Sequence, residues 1–174
     1  MKQEKGFILI ELIMTIVLVG IIASFTGFFI YSGINGYLRA KEITASALDA
    51  QRALDRMSLE LRYIDYFTAN PALHTSLEYI SKDPVLSTGI RRVLFSTSNP
   101  NNHMILIGMK DNEQPLLEHV DPGSFNLRVW YKDLDQDGTA DDVAYIDVGF
   151  NIENISTDFA TRIFPRNMVE RYIP

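Results

Sequence analysis

The stretch FILIELIMTIVLVGIIASFTGFFIY (Phe7–Tyr31) contains a single charged residue, Glu11. At a rise of 1.5 Å per residue, a helix of about 25 residues spans about 37 Å, which exceeds the about 30 Å of a bilayer core. Lys2 and Lys5 precede the stretch and predict a cytoplasmic N-terminus and an exported C-terminal part. The stretch therefore predicts a membrane-spanning helix.

Two ordinary interpretations of this helix are a cleaved secretory signal and a plain signal anchor. The apolar run exceeds the about 7–15 residues of a signal core, and no small-x-small cleavage site ends it. A signal anchor remains open. Glu11 favours a functional interpretation, because a carboxylate costs about 2.5–3.5 kcal/mol at a membrane-helix centre and less near its end.

The segment Lys5-Gly6-Phe7-Ile8-Leu9-Ile10-Glu11 resembles the processing site of type IV prepilins and pseudopilins. The resemblance implies that a prepilin peptidase cuts after Gly6 and that the new N-terminal residue, Phe7, is methylated. Glu11 is then the fifth residue of the mature chain. The resemblance also implies that its carboxylate meets the Phe7 amine of a neighbouring subunit during assembly, so that two charges in lipid neutralise each other.

The composition leaves room for one folded domain of about 140 residues behind the helix. The chain has 174 residues, 47% hydrophobic and 22% charged, a net charge of −6 and a pI of about 5.0. This acidic balance without a basic cluster argues against a nucleic-acid partner. The absence of cysteine excludes disulfides and thiol catalysis.

An amphipathic continuation of the helix is predicted over residues 36–67, with Asn70-Pro71 as its stop. Charged residues, Glu60 among them, lie on its other faces. Glycines 27, 33 and 36 mark bend or unwinding points, or equally positions of close packing against neighbouring helices. The apolar stripe of the continuation is Ile43, Ala47, Ala50, Leu54, Met57, Leu61 and Ile64.

Beyond Pro71 the apolar residues alternate, which predicts an antiparallel sheet in the exported domain 68–174. Residues 67–90 and 96–103 are predicted loops. The predicted fold is α+β: a long N-terminal helix packed on an antiparallel sheet, the layout that the pilin resemblance also implies. The predicted strands are Arg92–Phe95, Met104–Ile107, Leu116–Val120, Phe125–Tyr131, Ala144–Ile152 and Phe159–Phe164.

The acidic stretch DLDQDGTADD (residues 133–142) places carboxylates at positions one, three and five of a loop and glycine at six, as calcium loops begin. The predicted structural Ca²⁺ ligands are Asp133, Asp135, Asp137 and the carbonyl of Thr139, with Asp141 or Asp142 closing the shell, since position twelve is Ala144. Flanking strands argue against a helix-loop-helix sensor. The alternative is a solvated Asp-Gly hairpin tip without metal.

The remaining polar residues predict no catalytic site, so the chain is not expected to be an enzyme. His74, His103 and His119 are scattered and are explained as single surface or strand residues. No Ser-His-Asp spacing, phosphate loop or HExxH motif occurs. Trp130 and Tyr131 are interpreted as sheet packing rather than as a ligand platform.

Further segments resemble the J-type pseudopilin of type II secretion and the W-type minor pilin, namely Ala50–Arg62, and Pro115–Val120 followed by Phe125–Tyr131 and the aspartate loop. Two features argue against a major pilin. Phe28 stands where major pilins often have a kinking proline, and the C-terminal cysteine pair of major pilins is missing. The presence of Glu11 argues against a K-type tip subunit, which usually lacks that acid.

These resemblances imply a minor pilin or pseudopilin with a cleaved leader (residues 1–6) and a transmembrane and filament-core helix (residues 7–35). The expected partners are the prepilin peptidase, the bacterial inner membrane, the assembly platform, and other minor and major pilins. The subunit would join a periplasmic pseudopilus or an extracellular pilus near its tip and prime assembly. The alternative is a signal-anchored, calcium-dependent adhesin or binding module at the cell surface.

Overall fold

The computed structural model describes residues 9–69, 75–86, 89–153, 155 and 157–166. The chain divides into two compact units, Met1–Ala45 and Ser46–Pro174. The predicted α+β class is confirmed. The elements are α1 (Leu9–Leu61), β1 (Ile64–Phe67), β2 (Ser76–Ser81), β3 (Arg91–Ser96), β4 (Met104–Met109), β5 (Asn112–Leu117), β6 (Asn126–Lys132), β7 (Asp142–Asn151) and β8 (Asp158–Ile163).

The described part of the first unit is the apolar portion of α1, which is long and apolar enough to cross a membrane. Its large hydrophobic side chains, from Leu9 to Ile43, are all 48–74% exposed. The hydroxyls of Ser24 and Thr26 donate to the carbonyl oxygens four residues earlier, at 2.9 and 2.8 Å. Such bonds satisfy polar groups without water, as a hydrocarbon environment requires.

The helix is continuous through the three glycines that were candidate bend or unwinding points. Gly27, Gly33 and Gly36 all lie inside α1. A methyl group added at any of them would have no neighbouring atom within 4 Å. Unwinding at these positions is therefore not observed, and their surroundings are open.

The second unit packs the C-terminal part of α1 against both sheets around a single hydrophobic core. Ala50 and Ala53 are fully buried, and their small side chains allow the sheets to approach the helix backbone closely. Leu54, Met57 and Leu61 continue the buried stripe. The predicted stripe is therefore confirmed from Ala50 to Leu61, whereas Ile43 is 49% exposed.

The second unit contains two antiparallel sheets rather than the single predicted one. The strand orders are β1-β2-β3-β4-β5 and β6-β7-β8. Between β5 and β6 the chain turns at His119, with φ 58°, and at Pro122–Ser124, so that these two strands do not pair. A bridge between Val120 and Ile152 joins the two sheets at this corner.

The helix ends at Leu61, earlier than the predicted boundary at residue 67, because the next residues form a strand. Ile64 and Phe67 are buried in β1, which pairs with β2. The last bond that spans four residues runs from the Arg62 N–H to the Ser58 carbonyl at 3.2 Å, and the Tyr63 N–H donates to the Glu60 carbonyl at 3.3 Å in a 3₁₀-type turn. Sheet pairing overrides the helical periodicity that placed Ile64 on the stripe.

Two strand predictions are also corrected. Residues 67–90 were predicted to be loop, but β2 lies among them, with Leu77 and Tyr79 facing the core. Polar neighbours made this short alternation hard to recognise. The strand predicted at Leu116–Val120 begins earlier, at Asn112, and ends at Leu117, because the positive φ of His119 interrupts it.

Candidate functional site

The acidic loop connects β6 to β7, so strands flank it on both sides as the sequence predicted. A register shift between Trp130 and Tyr131 precedes the loop. Gln136 and Gly138 have φ values of 63° and 95°, which fold the loop back on itself. Glycine adopts such angles without steric cost, whereas glutamine does so less readily.

Three of the predicted ligands converge. Asp133, Asp135 and Asp142 each offer one carboxylate oxygen, and these atoms lie within 4.8 Å of one another. Of the two residues predicted to close the shell, Asp142 is the one that joins the group. Asp137 and Asp141 are outside this group, and the Oδ1 of Asp137 instead accepts the N–H of Thr139 at 2.7 Å.

Asp142 organises the start of the loop. Its side chain is buried, with 3% exposure for the residue. Its Oδ2 accepts the backbone N–H groups of Leu134 at 2.8 Å and of Asp135 at 3.1 Å. The sequence did not predict this role. The carboxylate of Asp142 takes the place of backbone carbonyl acceptors for these two N–H groups.

Asp133 supplies the feature that points most directly to a cation. Its Oδ2 accepts the Gly138 N–H at 3.2 Å, whereas its Oδ1 is buried and has no hydrogen-bond partner in the described residues. A buried carboxylate oxygen without a partner is costly. A bound metal ion would relieve that cost.

The carboxylates of the loop also repel one another. The Asp135 carboxylate accepts the Asp137 N–H, which favours its charged form. Desolvation and the charges of Asp137, Asp142 and Asp133 act in the opposite direction and prevail, so that the pKa of Asp135 is raised above its ordinary value. The loop therefore holds its negative charge at an energetic cost.

The donor set fits Ca²⁺. Calcium accepts six to eight oxygen ligands in flexible geometry, whereas Mg²⁺ demands a near-ideal octahedron. Three carboxylates supply oxygen and charge here, and backbone carbonyls and water would complete the shell. Bound Ca²⁺ would neutralise the cluster and hold the β6–β7 connection in place.

The predicted processing and assembly residues lie near the start of the chain. Gly6 and Phe7 lie outside the described residues. Glu11 is in the first turn of α1 and is exposed. Its carbonyl oxygen accepts the hydroxyl of Thr15, but no described side chain forms a hydrogen bond or ion pair with its carboxylate.

Another buried cluster, which the sequence did not predict, links α1 to the five-stranded sheet. Glu60 is only 3% exposed, although the helical pattern placed it on a charged face. Its Oε2 accepts hydrogen bonds from Arg91 Nε at 2.9 Å and from the Tyr79 hydroxyl at 3.0 Å. Burial, followed by the charge of Glu60, raises the pKa of Tyr79, so that its hydroxyl stays protonated and keeps donating.

The histidines give no catalytic arrangement among the described residues. His103 Nδ1 lies 3.7 Å from Glu153 Oε1, and His119 Nδ1 lies 4.0 Å from Glu153 Oε2. The ring of His103 also stacks on Phe95. His74 lies outside the described residues. Comparisons of the chain with protein-family models, with curated proteins and with solved structures found no match.

Proposed function

We propose that this chain is a minor pilin or pseudopilin. In this proposal a prepilin peptidase removes residues 1–6, Phe7 is methylated, and the subunit waits in the inner membrane until the assembly platform incorporates it. It then lies near the tip of a type IV pilus or type II secretion pseudopilus and primes assembly with other minor and major subunits.

The observation that carries this proposal is the position of Glu11. It lies five residues after Gly6 and in the first turn of a helix that is long and apolar enough to cross a membrane. The described residues give its carboxylate no partner. A carboxylate in such a helix requires a neutralising group, and the amine of Phe7 on a neighbouring subunit would supply it.

The exported unit supports a structural rather than a catalytic role. The C-terminal part of α1, from Ala50 to Leu61, is built into one core together with residues of both sheets. Among the buried charged side chains of the described residues, Glu60 and Arg91 bind each other, whereas Asp142 accepts backbone N–H groups of the acidic loop. The Glu60–Arg91 pair would fix the C-terminal part of α1 to the five-stranded sheet.

The same proposal includes Ca²⁺ as a structural ligand of the acidic loop, held by Asp133, Asp135 and Asp142. The partnerless oxygen of Asp133 and the raised pKa of Asp135 support it. The chain has no cysteine and hence no disulfide. A bound metal ion would stabilise an exported domain in place of a disulfide. Affinities of about 10⁻⁴–10⁻³ M are typical of extracellular sites.

A second candidate function is a signal-anchored, calcium-dependent adhesin or binding module. The aspartate cluster favours it, because such a module needs a cation site and a membrane anchor but neither cleavage after Gly6 nor the carboxylate of Glu11. The two candidates therefore differ in what they predict for the N-terminus.

The deciding experiment is the intact mass and N-terminal residue of the chain purified from its own membranes. A mature chain that begins with methylated Phe7 would support the filament proposal. A chain that still begins at Met1 in cells that contain the peptidase would contradict it and favour the adhesin. A Gly6→Leu variant is the matched control, since it should retain the leader if the peptidase acts there.

A further inference from the structure

The outer face of the β6-β7-β8 sheet carries three transverse rows of side chains, set by the register of the strands. Asn126, Gly149 and Ala160 form a row of small residues, because Gly149 pairs with both of the others. Asp147 likewise pairs with Arg128 and Arg162. The third row is aromatic. We call this surface the aromatic–arginine face; its aromatic row consists of Trp130, Tyr145 and Phe164.

The aromatic row is accessible to solvent. Trp130 is 39% exposed and Phe164 is 60% exposed. The rings of Trp130 and Tyr145 stack with their centroids 5.8 Å apart, and the rings of Tyr145 and Phe164 are tilted by 56° with their centroids 6.0 Å apart. Cross-strand pairs of this kind hold aromatic side chains in fixed positions, so little conformational entropy remains to be lost on binding.

Two arginines lie over two of these rings. The guanidinium of Arg128 lies 5.3 Å from the ring centroid of Trp130, and that of Arg162 lies 4.0 Å from the ring centroid of Tyr145. The ring faces are therefore partly taken by each other and by cations, while ring edges and guanidinium groups remain for contact.

The two arginines differ in their charge compensation. Arg162 binds Asp147 through two hydrogen bonds, of 2.8 and 3.1 Å. No carboxylate of the described residues lies within ion-pair distance of Arg128. Arg128 therefore presents a guanidinium without an ion-pair partner on the edge strand β6, beside the ring of Trp130.

The row of small residues completes the surface. Next to the Arg128–Asp147–Arg162 row lies an open depression of about 520 Å³, whose floor includes Gly149 and Ala160. A side chain from another molecule could enter there without displacing bulky groups.

We propose that the aromatic–arginine face is a docking surface for a second polypeptide that places an Asp or Glu carboxylate against Arg128. Tryptophan, tyrosine and arginine are the residues that dominate the energetics of protein interfaces, especially when pre-ordered and surrounded by neutral contacts. The uncompensated charge of Arg128 defines the sign of the partner. This inference rests on the sheet face alone and holds whether the chain is a pilin or an adhesin.

A polypeptide fits this face better than a glycan or a nucleic acid. Both of those ligands stack on free aromatic ring faces, but here guanidinium groups lie over the rings of Trp130 and Tyr145. Asp147 also places a negative charge in the middle of the arginine row. That charge opposes a phosphate backbone and suits a partner that carries mixed charges.

Site-specific photocrosslinking in the native membranes tests the proposal with the full chain. A photoreactive phenylalanine analogue at Phe164 should form an adduct with a polypeptide, mapped by mass spectrometry to a segment that contains Asp or Glu. The same analogue at Tyr66, which is 50% exposed in β1 on the other sheet, is the matched control. It should form this adduct at a background level.

Charge variants identify the role of Arg128. Arg128→Glu should lower the adduct at Phe164 by about tenfold, as loss of one interface hot spot predicts, whereas Arg128→Lys should retain most of it. Replacing the mapped acid of the partner by lysine should restore the adduct of the Arg128→Glu chain. An unchanged melting temperature of each variant shows that the sheet still folds.

Three results would overturn the proposal. They are an adduct at Phe164 no stronger than at Tyr66, an adduct with lipid, glycan or nucleic acid in place of a polypeptide, and a polypeptide adduct that survives Arg128→Glu undiminished. The N-terminal mass is independent of all three, so that failure here and failure of the filament proposal are distinguishable.

Discussion

Arg91 and Glu60 form a buried ion pair between β3 and α1, with 2.8 Å between Arg91 Nη2 and Glu60 Oε2. The two side chains are 9% and 5% exposed. The Tyr79 hydroxyl donates to the same carboxylate oxygen, so that α1, β2 and β3 meet at one buried charge. The pair therefore fixes the rotation of the helix against the five-stranded sheet in a way that apolar contacts alone would not.

Glu60→Gln should destabilise the second unit by about 3–5 kcal/mol, because it leaves the Arg91 guanidinium buried without a counter-charge. Urea unfolding of the full chain in detergent measures this free energy. Arg52→Ala is the matched control, since the Arg52–Asp49 pair lies on the same helix but is 77% and 59% exposed. It should cost less than about 1 kcal/mol, and equal losses in the two variants would contradict the role of the buried pair.

The strongly periodic elements were predictable from the sequence. Alternation of apolar residues predicted β3, β4, β6, β7 and β8 to within a few residues, and the membrane-length helix needed only its composition. The end of α1 was not predictable in this way. Ile64 fits a helical stripe and a strand equally well, and its pairing with β2 decides between them.

The candidate sites were predictable only in part, because sequence spacing gives no account of burial. The aspartate spacing located the loop, but the burial of Asp142 and its two backbone contacts depend on how β7 begins. Glu60 was assigned to a charged face, since its partners Arg91 and Tyr79 are distant in sequence. The aromatic–arginine face depends on strand register, which a single sequence does not specify.

Asp142→Ala should destabilise the second unit by about 1–3 kcal/mol in the presence of a chelator as well as in calcium. The reason is that the N–H groups of Leu134 and Asp135 lose their acceptor even when no metal is bound. Urea unfolding in both buffers measures the loss. Asp141→Ala is the control, because Asp141 is outside the convergent group. A loss for Asp142→Ala seen only in calcium would show that the residue acts through the metal alone.

Chelation should lower the melting temperature of the wild-type chain. At 10 mM Ca²⁺ and a dissociation constant of about 10⁻⁴–10⁻³ M, binding stabilises the folded state by about 1.4–2.7 kcal/mol. For a domain of this size, that amounts to a shift of about 4–10 °C. Differential scanning calorimetry in excess calcium and in excess chelator measures the shift. Identical melting temperatures would contradict the calcium proposal, and magnesium at the same concentration controls for ionic strength.

Asp135→Asn should have opposite effects with and without calcium. The pKa of Asp135 is higher in the folded state than in the unfolded state, whose value is about 3.9. As the pH rises, the unfolded state therefore loses the proton first. In chelator, the free energy of unfolding of the wild type falls between about pH 3.9 and the raised pKa of the folded state. The variant removes that loss, and its melting temperature in chelator at neutral pH should exceed that of the wild type. In calcium it should melt below the wild type, since one ligand is gone. A variant that melts below the wild type in both buffers would contradict the proposed charge repulsion.

Glu11→Ala should leave cleavage after Gly6 intact and impair incorporation into filaments. Without the Glu11 carboxylate, the amine of Phe7 on the neighbouring subunit has no opposite charge to neutralise it in lipid. A loss of about 1.4 kcal/mol corresponds to about tenfold less incorporation. Quantitative immunoblotting of sheared filament or pseudopilus fractions, relative to the processed chain in the membrane, measures the ratio. Glu42→Ala is the matched control, because Glu42 is an exposed carboxylate later on the same helix. Because the described residues provide no partner for the Glu11 carboxylate, the effect of Glu11→Ala on incorporation should depend entirely on other subunits. Normal incorporation of Glu11→Ala would therefore exclude the intersubunit pair while leaving the membrane anchor unaffected.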